Sequence, residues 1–478
     1  MQSDLPGKNG QKEVKALQKK AESQDKLGTM PIGKLVAVMS LPMMISMLVQ
    51  ALYNAVDAMF VARLSEDALT AVSLAFPFQN VMIAVGVGSG VGVSALVSRA
   101  LGRGDKAAAE RTANVQMFLS LCYAAVFALL GGIFARRLFQ MQTSDPTIVE
   151  YGTTYLSICC LLSLGMFYGQ NLEKLLVATG SSVLSMICQA TGAVVNIVLD
   201  PLLIFGVGPF PKLGVAGAAW ATVIGQFVAA ILAFVFCLRF NRATRFRFRQ
   251  MLPDLPIIKA ICAIGVPSTL TVCLGSAISY GMNAIIMPFS TTAAAVFGVW
   301  LKMQYFAFMP VFGLNNGTLA IYSYNFGAGR MDRIRQTLRV SLAVSASFTL
   351  LAALVYEAIP GRMLGLFDAS EHMLALGVPA LRICALSLPF GAMTVICSSS
   401  YQALGYSGFT LLVNVCRQML LPLPLAWLLS RSGVLERVWA AIPVSEAITF
   451  LLAALICRMV VRRTRRKLDA RAAEAAAP

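Results

Sequence analysis

Long apolar runs separated by short polar joints dominate the chain. Leu35 to Phe60, Ala113 to Phe134, Gly214 to Leu238 and Val438 to Ile456 are four of them. Such runs have about the 20 residues that a helix needs to cross a bilayer, and they lack the two-residue alternation of a membrane β-strand. The pattern predicts twelve helices, near residues 35–60, 70–98, 113–134, 150–172, 182–206, 214–238, 257–286, 293–320, 338–356, 373–400, 408–429 and 438–457. Prolines and glycines fall inside many of these runs, where membrane helices tolerate them because neighbouring groups re-satisfy the freed backbone. Residues 1–30 are polar and Lys-rich with no apolar centre, so they do not read as a secretory signal.

Composition agrees. The chain is 58% hydrophobic and 13% charged, against about 25% charged in an ordinary soluble domain. The net charge of +17 suggests nucleic acid until the positions of the charges are read. With the first helix entering from the cytoplasm, 29 of the 39 Lys and Arg residues fall on the cytoplasmic side, 7 on the other side and 3 within helices. That asymmetry is the positive-inside signature and predicts cytoplasmic termini. The tail residues Arg462, Arg463, Arg465, Arg466 and Lys467 then read as an anchor at an anionic lipid surface. A single histidine, His372, argues against multi-histidine metal sites and imidazole pairs. The eleven cysteines, odd in number and without a Cys-x-x-Cys pair, read as small hydrophobes. No Walker-type motif is present, which argues against ATP drive within this chain.

The chain also repeats itself. At an offset of 225, Lys34, Pro42, Gln79, Gly88, Ser98, Gly102, Gly104, Thr112, Ala178 and Gly180 fall on Lys259, Pro267, Gln304, Gly313, Ser323, Gly327, Gly329, Thr337, Ala403 and Gly405. The expectation is an all-α polytopic membrane protein with twelve transmembrane helices in two six-helix bundles. Six is even, so both bundles enter from the same side and their pseudo-twofold axis runs along the membrane normal. The expected divisions are a polar cytoplasmic segment 1–31, an N-lobe 32–238, a basic cytoplasmic linker 239–256 with Arg242, Arg245, Arg247 and Arg249, a C-lobe 257–457 and a basic tail 458–478. Paired repeats about a central pathway are a recurrent design of secondary transporters.

Charge within a bilayer is costly, so each instance needs a reason. Asp57 lies deep in the first helix. Asn196 and Asp200 lie one turn apart on one face of the fifth, and Pro201 loosens the helix there. Two carboxylates and a carboxamide in one half suit a proton or a sodium ion, and neutralising a carboxylate removes a cation's partner. Tyr53, Asn54, Phe76, Gln79, Asn171, Gln304, Phe306, Asn315 and Asn316 are candidates to line a pathway. Lys302, Arg382, Arg417 and Glu446 are expected to serve structural or secondary polar roles. Glu173 and Lys174 read as snorkelling caps at a cytoplasmic helix end.

Several segments together carry a family resemblance: Gln50-Ala-Leu-Tyr-Asn-Ala-Val-Asp57 with Val61, Ala100-Leu-Gly-Arg-Gly-Asp105, Asn196-Ile-Val-Leu-Asp-Pro-Leu-Leu-Ile-Phe-Gly206, Asn325-Phe-Gly-Ala-Gly329 with Arg333, Leu381-Arg-Ile383 and Pro389-Phe390. In order and spacing they resemble the multidrug and toxic compound extrusion (MATE) family, in its bacterial DinF-like and MepA-like branch, over residues 32–457. The resemblance implies an efflux antiporter of the bacterial inner membrane, monomeric and free of organic cofactors. It would export hydrophobic or cationic compounds against protons or sodium by alternating access. It assigns the coupling site to Asp57, Asn196 and Asp200, where Na+ would bind if sodium is the ion. Some branches use acidic residues in helices 7 and 10, and this chain has no Asp or Glu in the corresponding apolar segments. The alternative is a flippase or exporter of a lipid-linked or other amphipathic metabolite. Such a protein would be expected to carry several cations in its cavity.

Overall fold

A computed structural model describes residues 26–241, 244–246 and 251–476. The polar residues 1–25 and the linker arginines Arg242, Arg247 and Arg249 lie outside them. Eleven helices among the described residues are long and apolar enough to cross a membrane, and a bent pair supplies a twelfth span. In chain order they are α1 (Ile32–Ala62), α2 (Glu66–Gly102), α3 (Lys106–Gln140), α4 (Pro146–Leu161 bent by 50° into Leu164–Ala178), α5 (Ser182–Phe205) and α6 (Val215–Phe240), followed by α7 (Leu255–Ile286), α8 (Thr291–Gly327), α9 (Met331–Ala358), α10 (Glu371–Ala403), α11 (Ser407–Ser430) and α12 (Ala441–Ala476). The protein is an all-α, multi-pass membrane protein.

The helices overrun the apolar windows wherever a cap lies beyond the apolar run. The predicted 70–98 becomes Glu66–Gly102 because the Ser65 side chain accepts from Ala68 N. The predicted 113–134 becomes Lys106–Gln140 because Asp105 accepts from Ala108 N. A hydropathy window reports the slab a helix crosses, whereas capping decides where it starts. Local departures are concentrated in the second half. α7 is interrupted at Leu274, α10 at Leu386, and α11 carries a π-helical turn at Cys416–Leu420.

The repeat is visible in backbone detail. Gly104 and Gly329 close equivalent turns with φ of 78° and 71°, and Gly180 and Gly405 do so with 85° and 91°. Only glycine adopts that region without a steric penalty. Ser65 and Ser290, again 225 apart, cap α2 and α8.

Contacts between the first six and last six spans obey the same exchange. A Cβ on Gly102 would meet the carbonyl of Tyr324, and one on Gly327 would meet that of Arg99. Subtracting 225 from 324 gives 99, so the two contacts are one contact seen from either side. Gly88 of α2 packs against Gly265 and Thr269 of α7, and Gly313 of α8 packs against Met43 and Met44 of α1. Such reciprocity is the mark of an isologous, twofold interface. Hydrogen bonds gather at the same end: Ser40 Oγ donates to Leu314 O at 3.5 Å, Arg99 Nη2 to Ala403 O at 2.8 Å, and Arg333 Nη2 to Met30 O at 2.8 Å. At the other end of these helices Leu52, Met59, Phe76, Tyr280, Tyr305 and Phe306 are exposed.

Valine at Gly102 or Gly327 would drive a side chain into the opposing backbone. Either substitution is expected to depopulate the state closed at this end. In a background lacking native cysteines, a cysteine replacing the buried Ser323 should then react faster with a soluble thiol reagent.

Candidate functional site

The residues singled out in α1 and α5 come together. Asn196 and Asp200 are buried on one face of α5, and Asp57 is half-buried on α1, which packs along α5. Tyr53 lies one turn before Asp57 on α1 and is half-buried. Glycines fix the approach of α5 to α6: a Cβ on Gly225 would lie 2.7 Å from Gly192 O and 3.2 Å from the Asn196 Cβ. That close contact brings the Asn196 amide nitrogen to Thr222 Oγ1 of α6, 3.4 Å away. Nothing in the sequence pattern had singled out Thr222.

This cluster is rich in acceptors and poor in donors. Asp57 Oδ1, Asn196 Oδ1, Asp200 Oδ1 and Asp200 Oδ2 are buried oxygens with no hydrogen-bond donor from the protein. An unsatisfied buried acceptor costs roughly 1–3 kcal/mol, and more where it is charged. Two carboxyls and an amide oxygen suit a proton or a hard cation, whose preferred ligands are oxygens. Among the described residues no group of three or more His, Cys, Asp and Glu side chains is placed to hold a metal.

Other predicted pathway residues divide. Phe76 and Phe306 are 60% exposed, and Asn54 is exposed beside Tyr53. Gln304, Asn315 and Asn316 are half-buried. Gln79 donates to the hydroxyl of the buried Tyr155 at 3.4 Å. Asn171 is fully buried instead of lining open space. Its amide nitrogen donates to Ser120 Oγ at 3.1 Å and Phe167 O at 2.8 Å, and it accepts from Ser89 Oγ at 3.3 Å. It ties α2, α3 and α4 together.

Lys174 departs from the snorkelling cap that its place near a helix end suggested. Its ammonium donates to Asn316 Oδ1 at 2.7 Å, across to the second half. The reason is steric: Gly90 of α2 leaves the space through which the lysine stem passes.

Arg417 and Glu446, read separately from the sequence, are partners. The guanidinium Nε lies 2.8 and 2.9 Å from the two carboxylate oxygens, and Arg417 also stacks over Phe308. Their side chains are 12% and 8% exposed. Gly391 leaves room for the guanidinium beside Glu446. Lys302 and Arg382, taken as interior charges from the sequence, are exposed. Lys302 lies over the Phe367 ring, and Arg382 pairs with Glu357 at 3.8 Å. All eleven cysteines are free.

Twelve apolar spans, a twofold repeat and a donor-poor oxygen cluster inside one repeat define a membrane transporter rather than an enzyme. The MatE family profile matches twice, over residues 42–202 and 267–428, and the second match begins 225 residues after the first. The chain belongs to the MatE family, a family of secondary efflux transporters. It is 28% identical to an FAD transporter of Shewanella oneidensis over 444 residues, which cover 91% of this chain and 95% of that protein. It is 25% identical over 419 residues to the multidrug export protein MepA of Staphylococcus haemolyticus, covering 87% and 91%. In fold it is similar to the outward-facing conformation of a multidrug resistance MATE transporter, with a TM-score of 0.86 at 24% identity, covering 93% and 99%.

Removing one member of the Arg417–Glu446 pair leaves the other charge uncompensated in the core. Arg417→Met or Glu446→Leu alone is expected to destabilise the protein by about 3–5 kcal/mol, and the double replacement by less than either. Thermal unfolding in detergent, taken around the double-mutant cycle, checks the sign of the coupling.

Proposed function

We propose that the protein exports hydrophobic or cationic compounds from the bacterial cytoplasm in exchange for protons or sodium ions, working as a monomer in the inner membrane. The buried, donor-poor cluster of Asp57, Asn196 and Asp200 carries this reading. It lies in the first half only, and its oxygens call for a positive partner that is exchanged rather than permanently held.

Two lobes, residues 32–238 and 257–457, rock about the glycine contacts of α1, α2, α7 and α8. With both termini cytoplasmic, as the charge asymmetry supports, the closed end would be the inner one and this conformation would face outward. Tyr53, Asn54, Phe76, Gln79, Gln304 and Phe306 then border the pathway, with exposed aromatic faces suited to flat apolar cations. Arrival of an ion at Asp57 and Asp200 cancels the negative charge that attracts a cationic compound, and so favours its release. A ligand shifts an equilibrium only by its differential affinity for the two states. Ion and cargo therefore have to prefer opposite ones.

A second reading is favoured by the relative named as an FAD transporter, which aligns with 91% of this chain. On that reading the cargo is an amphipathic metabolite with a flat ring and an acidic group.

Everted vesicles test the coupling. Asp57→Asn and Asp200→Asn are each expected to slow energised dye movement by at least about tenfold, the factor corresponding to about 1.4 kcal/mol. Dissipating the pH and sodium gradients separately identifies the ion. Wild-type rates in both variants would remove this cluster from the mechanism.

A further inference from the structure

Lys174 has no role in the cation cycle, yet it stands between the halves. It is half-buried on α4, and its acceptor is the neutral carboxamide of Asn316 on α8, 2.7 Å away. Ion pairs among the described residues are Arg111–Asp254, Arg382–Glu357, Arg417–Glu446 and Arg465–Asp469. None of them involves Lys174. Glu173, its chain neighbour, interacts with it through charge but makes no ion pair with it among the described residues. An ammonium has three donor positions, and a neutral amide is a weaker partner than an anion. A charged side chain inside a helix bundle whose hydrogen bond goes to a neutral amide is costly to keep.

Two structural features hold it there. Gly90 of α2 makes room for the stem, since a Cβ at that position would sit 2.8 Å from Lys174 Cγ. One turn earlier, the three hydrogen bonds of Asn171 lock α4 against α2 and α3. The lysine is thus built into the first half, whereas its acceptor belongs to the second. Parting of the halves at this end removes the acceptor and leaves the ammonium facing the space between them.

We propose that Lys174 is a recognition point for an acidic group, carboxylate or phosphate, on the transported molecule. Asn316 occupies the ammonium while the inner end is closed, and a cargo anion replaces it when that end opens. This inference rests on the alternating-access reading above. It makes the cargo class amphipathic compounds that carry an anionic group, alone or together with a cationic one.

The test uses one rhodamine dye in two forms, the cationic ethyl ester and the free carboxylic acid. Binding to the purified protein is followed by fluorescence polarisation, and movement by uptake into everted vesicles. Lys174→Gln is expected to weaken binding of the free acid by about tenfold or more, the scale of a lost hydrogen bond to a charged group. The ester should bind as before. Lys174→Arg should restore preference for the acid. Gly90→Ala, which displaces the lysine without removing it, should mimic Lys174→Gln.

Equal losses for both dyes, or no loss for either, would overturn the proposal. So would a wild-type protein that binds the ester and ignores the acid. Failure of the export reading looks different, because wild-type vesicles would then move neither dye while Lys174→Gln still altered binding of the acid.

Discussion

Two halves of this protein touch where glycine removes the side chain that would hold them apart. In a bilayer, helices gain no hydrophobic energy from meeting one another, and close packing of small residues takes over. Gly88, Gly102, Gly313 and Gly327 supply that closeness by letting helix backbone rest on helix backbone. Contacts of this kind are dispersive, short in range and lost together when the helices separate. The hydrogen bonds beside them, from Ser40, Arg99, Arg333 and Lys174, are mostly to backbone carbonyls or a carboxamide of the other half. Buried apolar residues of both halves, among them Val36, Met39, Leu314 and Ile321, pack beside these bonds, and Arg111 of α3 pairs with Asp254 at the start of α7.

The backbone is duplicated but the chemistry is not. At the offset of 225, Asp57 corresponds to Met282, Asn196 to Leu421 and Asp200 to Leu425, while Gly192 corresponds to Arg417. Where the first half buries acceptors without donors, the second closes a carboxylate onto a guanidinium at 2.8 Å. One half is left electrostatically incomplete and the other is self-contained. Differential binding of an ion by one half can bias their relative position, because a symmetric response would leave no preferred direction of tilt.

Most of the architecture was legible because membrane burial imposes one simple rule on twenty residues at a time. The spans and their number follow from it, and the 225-residue repeat was legible separately, in identical residues at one offset. Asp57, Asn196 and Asp200 were legible for the converse reason, since polar residues in apolar runs announce themselves. Partnerships between distant segments were not legible. Lys174 looked like a cap because four residues separate it from the end of its helix, and only Gly90 and Asn316, from two other helices, give it a different place. Arg417 and Glu446 each stood out, yet their pairing across α11 and α12 depends on a π turn that no apolar window marks. Thr222 was hidden for a third reason: a threonine in a membrane helix normally satisfies itself on its own backbone.

These placements order charge along the pathway. Acceptor oxygens without donors lie on α1 and α5, removed from the glycine contacts, and the ammonium of Lys174 lies among those contacts. On the proposed cycle, opening the inner end exposes the lysine, and ion release from the cluster restores its negative charge. A molecule with a cationic ring system and an acidic group meets both requirements at once, whereas a simple cation meets only the second. Lys174 has a further consequence for closure itself. On the proposed export cycle the inner end closes with cargo aboard, so the cargo's acidic group has to pass from Lys174 into the pathway as Asn316 takes the ammonium back. Transfer of that acidic group and closure of the inner gate would then be linked through one side chain, without any additional moving element.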